Sequence, residues 1–365
     1  MRLVYFSPVP WASFSQRPHK FVEWFHAKYG GQVLWVDPYP TRFPVLSDFR
    51  RLKSKRHSAA QQNPPWLEVI RPIALPIEPF PSSERLNGLF WRVTLKRVKD
   101  FTQAQPALLV MGKPSLLALA ALEELKDTPS IYDGMDDFPA FYSGISRWAM
   151  SRREIQLVNK ATQVLTSSTL LQRRWEHVRE EVQLVRNGLD ASLLPSPKTT
   201  VIDRNKKIFG YVGTLGAWFD WDWVNQLAQV QPNDTIRLIG PMLTPPQGSL
   251  LKNIELLPAC THSDALRAML DFDVGLIPFK KNDLTASVDP IKYYEYRALG
   301  LPVLSTDFGE MLFREGEDGT YLSSPGRSMA SLVIEALSYR PDPHVIKEFK
   351  IANSWDERFN AVTLI

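Results

Sequence analysis

The segment from Ser287 to Leu304, SVDPIKYYEYRALGLPVL, concentrates side chains suited to holding a phosphorylated ligand. Asp289 is a good helix N-cap, Pro290 suits the first helical position, Gly300 suits a left-handed stop and Pro302 blocks continuation. On the helix so bounded, Ile291, Tyr294, Ala298 and Leu299 share one face at about 100° per residue, and Glu295 falls in the middle of it. A carboxylate buried there without a partner is costly, so Glu295 needs a cation or hydroxyl groups. One reading is a salt bridge to an arginine elsewhere in the chain. The other is a carboxylate accepting both hydroxyls of a ribose, while the free N–H groups at 291–292 and Lys292 face phosphate.

A second segment, Gly213-Thr214-Leu215-Gly216, follows an apolar run where bare backbone can approach a pyrophosphate. Two D-x-D sequences, Asp220-Trp221-Asp222 and Asp271-Phe272-Asp273, have the form that holds a divalent ion against a diphosphate in single-domain sugar transferases. Their context favours plainer roles: Asp220 and Asp222 as helix-start acids, and Asp273 as the residue leading into a strand. The six histidines lack metal-ligand spacing, and there is neither a G-x-S-x-G nor a Walker sequence, which removes support for hydrolase and kinase readings.

The elements that must position these groups follow one rhythm, twice. Strand-like runs at 2–6, 32–37, 107–112, 130–134, 162–168 and 182–188 alternate with helical patterns near 16–28, 84–100, 115–125, 145–160 and 169–179. The tract 38–82, rich in proline and basic residues, reads as a loop that interrupts them. After 188–206 the rhythm restarts, with strands at 207–213, 235–240, 253–257, 272–278, 301–306 and 320–324 and helices near 221–230, 263–271, 290–299 and 327–338. The expected fold is α/β: two doubly wound, Rossmann-like domains facing each other across a cleft, with ligands beyond the carboxyl ends of the strands. The expected division is 1–187, a linker 188–206, a second domain 207–340, and a C-terminal helical piece 341–365 crossing back to the first domain.

At 365 residues the chain is long enough for two cores, and 44% hydrophobic with 22% charged residues is a globular balance. Cys260 is the single cysteine, which excludes an intramolecular disulfide and fits a reducing, cytoplasmic setting. No apolar run is long enough to span a bilayer, and MRLVYFSPVPW reads as a strand rather than a signal peptide. The net charge of +4 is modest, but basic residues cluster in FRRLKSKRH (49–57) and FWRVTLKRVKDF (90–101). On a helix the second segment sets Phe90, Val93, Leu95, Val98 and Phe101 loosely on one side with Arg92, Lys96, Arg97 and Lys99 around them. That pattern suits either a core-packing helix or one lying on an anionic membrane surface. No recognition motif accompanies the charge, so nucleic acid is not an expected partner.

With these segments in order, the chain resembles the GT-B glycosyltransferases, specifically retaining glycosyltransferase family 4 and its relatives in bacterial polysaccharide synthesis. VDPIKYYEYRALGLPVLST (288–306) is similar to that family's donor signature. The passages 159–190, 211–224 and 262–279 resemble those leading into and through the donor domain, and 17–25 and 131–141 resemble parts of the acceptor domain. The resemblance implies transfer of a sugar from a UDP- or GDP-linked donor to a saccharide or lipid-linked acceptor, with retention and with neither metal nor other cofactor. It makes Glu295 the ribose carboxylate and sets Asp289, Pro290, Ile291 and Lys292 near the donor sugar and diphosphate. Gly213, Thr214 and Leu215 become the diphosphate loop, and Pro258 and Ala259 meet the base through backbone groups.

Two departures stand out. Ser287 occupies a position where the family often has a second glutamate, and no Arg or Lys follows the glycine loop, which leaves Lys292, Arg186 or Arg17 to neutralise the diphosphate. Lys292, Arg17 and Asp137 are the catalytic candidates; Lys113, Asp136 and Asp137 are candidates for acceptor hydroxyls. A cytoplasmic protein at the inner face of the membrane is the expected setting. The alternatives are a catalytically idle nucleotide-sugar-binding partner of another transferase, a sugar-nucleotide 2-epimerase, and a metal-dependent transferase using one D-x-D.

Overall fold

Runs such as RLVYF, QVLWV and ALLVM are apolar at nearly every position, the composition of parallel strands covered on both faces. In the computed structural model, which describes residues 1–43, 63–197 and 205–364, the first half contains β1 (Arg2–Phe6), β2 (Gln32–Val36), β3 (Leu67–Ile70), β4 (Ala107–Met111), β5 (Ser130–Gly134), β6 (Gln163–Thr166) and β7 (Gln183–Leu184). They form one sheet in the order β3-β2-β1-β4-β5-β6-β7, every neighbouring pair parallel. The second half repeats the plan with β8 (Ile208–Val212), β9 (Thr235–Ile239), β10 (Ile254–Leu257), β11 (Val274–Ile277), β12 (Val303–Thr306) and β13 (Thr320–Ser323), ordered β10-β9-β8-β11-β12-β13.

Parallel neighbours need crossovers, and helices supply several of them, such as Arg17–Tyr29 between β1 and β2 and Trp221–Val230 between β8 and β9, as the alternation of patterns predicts. One expectation fails in the tract 38–82: Leu67–Ile70 is a strand, paired with Val33–Val36. Pro64, Pro65 and Pro72 hide it in the sequence, yet they are compatible with an edge strand that bonds on one side only. The basic stretch 49–57 lies outside the described residues.

The chain divides into two compact units, Met1–Val185 with Val362–Ile365, and Arg186–Ala361. The division precedes the expected linker because Arg186 and Asn187 bond to Glu310 and Asp289 of the second unit. The C-terminal piece is two helices, Pro343–Ala352 and Trp355–Asn360. They belong to the second unit: Phe349 packs on Tyr293 at 5.8 Å between ring centroids, and the Trp355 amide donates to the Leu189 carbonyl.

The helix Ser83–Gln103 corrects the face expected from its pattern. Its buried side runs through Asn87, Trp91, Val98 and Phe101, whereas Phe90 and Val93 are exposed. The core of the first unit sits between this helix group and the sheet, around Val4, Leu34, Leu109, Trp91 and Val98.

Within that unit lies Glu154, 1% exposed, whose Oε1 accepts from the Tyr132 hydroxyl at 2.6 Å. Burial pushes its carboxyl up to about 8, against the pull of the Tyr132 hydrogen bond. A carboxyl raised above its unfolded value adds stability that is complete below the unfolded pKa and lost as pH rises through the folded one. Glu154→Gln keeps an acceptor for Tyr132 and removes the ionisation. It is expected to match the native protein near pH 4 and to exceed it near pH 9 by a margin of the order of a few kcal/mol. Thermal melts across that range check this, and an equal dependence of both proteins on pH would refute it.

Candidate functional site

In the second sheet β8 and β11 are neighbours, and the chain order runs outward from them on both sides. The carboxyl ends at such a reversal leave a crevice for ligands. The loop after β8, Gly213 to Asp220, spans it and is tied to both sides. Toward β9, the Leu215 amide donates to the Pro241 carbonyl at 2.9 Å; toward β11, Lys280 and Trp218 bond at 2.7 Å and Asp220 and Pro278 at 2.8 Å. The backbone of Gly213 (φ +157°) is crossed closely by Gly240 (φ +146°), where a Cβ would stand 2.0 Å from the Gly213 carbonyl oxygen. The sequence marks Gly240 only as a glycine that ends the run TIRLIG, and that is the signal for it.

The helix Ile291–Ala298 begins one residue later than expected. Pro290 is its N-cap residue and no side chain caps it. Asp289 is instead wholly buried: one oxygen pairs with Arg314 at 2.6 Å, and the other accepts from the Asn187 amide at 2.7 Å and the Tyr294 hydroxyl at 2.9 Å. Arg314 lies 4.0 Å from the Tyr293 ring centroid and 4.9 Å from that of Tyr294. This network withdraws Asp289 from direct contact with a ligand and uses it to anchor the helix start. The helix is also buried all round rather than on one face, with Tyr293, Tyr294, Tyr296 and Arg297 covered and Ile291 only half so. Gly300 is the left-handed stop, at φ +78°.

Glu295 meets two nitrogen groups. Lys292 Nζ donates to one carboxylate oxygen at 2.5 Å, and His262 Nε2 lies 3.3 Å from the other. Burial alone pushes the Glu295 carboxyl up, but the Lys292 charge, with the hydrogen bonds from His262 and Lys292, outweighs it and holds the group below the ordinary glutamate value. His262 opens the helix His262–Met269, which follows the exposed loop after β10 that carries Pro258 and Ala259. Nothing in the sequence pointed to His262. Ser287 is 2% exposed, and its hydroxyl has no hydrogen-bond partner. Arg186 is about one-third exposed, and its Nε donates to Glu310 at 2.5 Å. Thr214 is half-buried and Leu215 buried in the loop.

Both D-x-D sequences take the plainer roles. Asp220 caps the helix Trp221–Val230, accepting from the Trp223 amide at 3.0 Å. Asp273 accepts from the Ile208 amide at 2.8 Å, at the amino end of the sheet and away from the crevice. Among the described residues there is no cluster of three or more His, Cys, Asp or Glu placed to hold a metal ion.

In the first unit a shallow concavity lies at the carboxyl ends of β1 and β2 and the segment after β4, lined by Ser7, Asp37, Thr41, Lys113 and Ser115 among others. Arg17, expected as a cation for the diphosphate, is 1% exposed and paired with the buried Asp133 at 2.8 Å, while also donating to the Val185 carbonyl at 2.6 Å. Its charge neutralises Asp133, so it stands corrected as a structural residue. Asp137 pairs with Arg174 at 2.7 Å. Asp136 keeps some open surface, yet burial, with Asp133 and Asp137 nearby and against the pull of Arg17, pushes it up to about 7.

No family model matches the chain. Over 217 residues it is 24% identical to a Bacillus subtilis protein provisionally named teichuronic acid biosynthesis glycosyltransferase TuaH. The match covers 54% of this chain and 53% of that protein, so the chain spans about half the length of this curated relative. Among solved structures, sucrose-phosphate synthase from Thermosynechococcus elongatus is similar over 99% of this chain and 94% of its own, with a TM-score of 0.61 and 16% identity. Anabaena HepE in complex with UDP and glucose is similar over 99% and 98%, at 0.62 and 15%. The fold is GT-B. The catalytic domain of starch synthase IV from Arabidopsis thaliana, bound to ADP and acarbose, is similar over 100% and 95% of the chains, at 0.61 and 9%.

The close passage of Gly240 over Gly213 gives a direct test of how the loop is held. Gly240→Ala is expected to cost roughly 2–4 kcal/mol, from backbone strain added to the clash. Gly88→Ala, in the helix Ser83–Gln103 with nothing within 4 Å of the added carbon, is expected to gain about 0.5–1 kcal/mol. Denaturant titration of both variants checks the pair, and a neutral Gly240→Ala would contradict the packing described.

Proposed function

We propose that this chain is a glycosyltransferase that moves a sugar from a nucleoside-diphosphate donor, UDP- or GDP-linked, to a hydroxyl of a saccharide or lipid-linked glycan presented at a membrane face. It works with retention and without a metal ion. The observation that carries this reading is the buried Glu295 carboxylate, held charged by Lys292 and His262 in the region of the crevice loops. A carboxylate with two oxygens matches the paired hydroxyls of a ribose, and both of its present partners are donors that ribose hydroxyls can replace. The naming of TuaH as a glycosyltransferase, and the UDP and glucose bound by HepE, support the same direction.

On this reading Glu295 binds the ribose, and Lys292, released from it, turns to the diphosphate. The amides of Gly213, Thr214 and Leu215 approach the phosphates, and the backbone of Pro258 and Ala259 meets the base. Arg186 adds positive charge from its pairing with Glu310. The unpartnered Ser287 hydroxyl donates to the donor sugar. Bond breaking then rests on dipoles and cations that stabilise the departing diphosphate while the acceptor hydroxyl attacks from the same face and gives its proton to the departing phosphate oxygen. For the acceptor, Lys113 in the concavity of the first unit and the carboxyl groups of Asp136 and Asp137 are the hydrogen-bonding groups on offer.

A thermal-shift panel of nucleoside diphosphates and their sugars identifies the donor, because a ligand at 100 times its Kd adds about 2.7 kcal/mol of stability. With that donor, Glu295→Ala is expected to weaken binding by about a hundredfold, and Lys292→Ala to lower turnover by at least about tenfold. Retained affinity and turnover in both variants would end this assignment. Full activity in excess chelator is the expected result for a metal-independent transfer, and its loss would remove that part of the proposal.

A further inference from the structure

The helix Ser83–Gln103 carries two apolar stripes, and only one is used by the fold. Trp91, Val98 and Phe101 pack into the core. Leu86, Leu89, Phe90 and Val93 are 53%, 57%, 45% and 79% exposed. Their spacing places all four in a sector of roughly 100° beside the buried one, along the first three turns of the helix. Arg85, Arg92 and Lys96 line one border of that sector, all exposed and, among the described residues, without a carboxylate partner. Arg97 and Lys99, further along, are paired with Glu68 and Glu124, and Asp100 ends the stripe. The Asn87 side chain bonds both backbone groups of Leu75, which holds the preceding segment, with Ile73 70% and Phe80 54% exposed, close to the start of the helix.

We infer that this stripe is a docking face for an anionic lipid surface, with Leu86, Leu89, Phe90 and Val93 entering the headgroup layer and Arg85, Arg92 and Lys96 meeting lipid phosphates. An exposed apolar stripe beside unpaired cations is the pattern of a helix lying in the plane of a bilayer interface. The charge decides the occupant: a second copy of this stripe would bring like charges together, whereas an anionic surface pairs each of them. Each basic residue near such a surface strengthens binding by roughly fivefold. The face differs from the one read in the sequence, since Val98 and Phe101 are spent on the core and the exposed stripe begins at Leu86. It stands independently of the transferase reading, because vesicle binding needs neither donor nor acceptor.

Flotation of the full chain with phosphatidylcholine vesicles, with and without about one-third phosphatidylglycerol, tests it. The protein is expected to float with the anionic vesicles, to stay behind with neutral ones, and to be released at about 0.5 M salt, where charges are screened within a few ångströms. The double variant Phe90→Asp, Val93→Asp is expected to lose at least about tenfold in bound fraction with an unchanged melting temperature. The triple variant Arg85→Gln, Arg92→Gln, Lys96→Gln, which leaves every apolar group in place, is expected to lose binding to a similar degree. Equal flotation on neutral vesicles, native-like binding by the triple variant, or a dimer in size-exclusion chromatography that Phe90→Asp, Val93→Asp converts to monomer would each overturn the inference.

Discussion

The buried ion pair between Asp289 and Arg314 governs the start of the helix Ile291–Ala298, and with it everything that helix presents. A carboxylate removed from water is tolerated only when its oxygens are occupied, and here Arg314, Tyr294 and the Asn187 amide occupy them. The guanidinium in turn lies over Tyr293 and Tyr294, so two of the helix's own residues help to bury the cation that fixes its first turn. Such a pair adds little net stability against an apolar replacement, but losing one partner leaves a buried charge exposed to nothing, which costs several kcal/mol. Its service is positional: the helix cannot slide or rotate without breaking it.

Fixing the helix start fixes Glu295 one turn further on. That carboxylate is also buried, yet it stays ionised because Lys292, from its own helix, and His262, from another, sit on it. The difference between the two carboxylates is instructive. Asp289 is closed by groups that the fold itself needs, whereas Glu295 is held by one side chain about a quarter exposed and another about half exposed. A ligand can displace partners of that kind without dismantling the core. The glycine loop supplies the complementary constraint, a backbone braced from β9 and β11 and kept bare where Gly240 crosses Gly213.

The sheet plan was legible because parallel strands covered on both faces are runs of apolar residues, and helical patterns separate them. Leu67–Ile70 escaped because prolines surround it, and pattern alone does not tell an edge strand from an extended loop. For the site, chemistry was readable and partners were not. The sequence shows that Glu295 needs a partner, but His262 lies 33 residues away. Asp289 looked like a cap because its sequence context is that of a cap, and Arg314, 25 residues on, takes it instead. Arg17 is the sharpest case. Its charge is plain in the sequence, but Asp133, 116 residues away, consumes it, and such pairings are settled by folding rather than by spacing.

The central claim is that the Glu295 carboxylate exchanges its protein partners for the hydroxyls of a ribose. Calorimetric titration with uridine and guanosine diphosphates, each beside its 2′,3′-dideoxy form, addresses it most directly, on the native protein and on Glu295→Ala. Removing both hydroxyls should weaken the preferred nucleotide by about a hundredfold in the native protein and by only a few-fold in the variant, since charged hydrogen bonds are worth roughly 1.5–3 kcal/mol each. The same loss in both proteins, or no loss in either, would contradict the account.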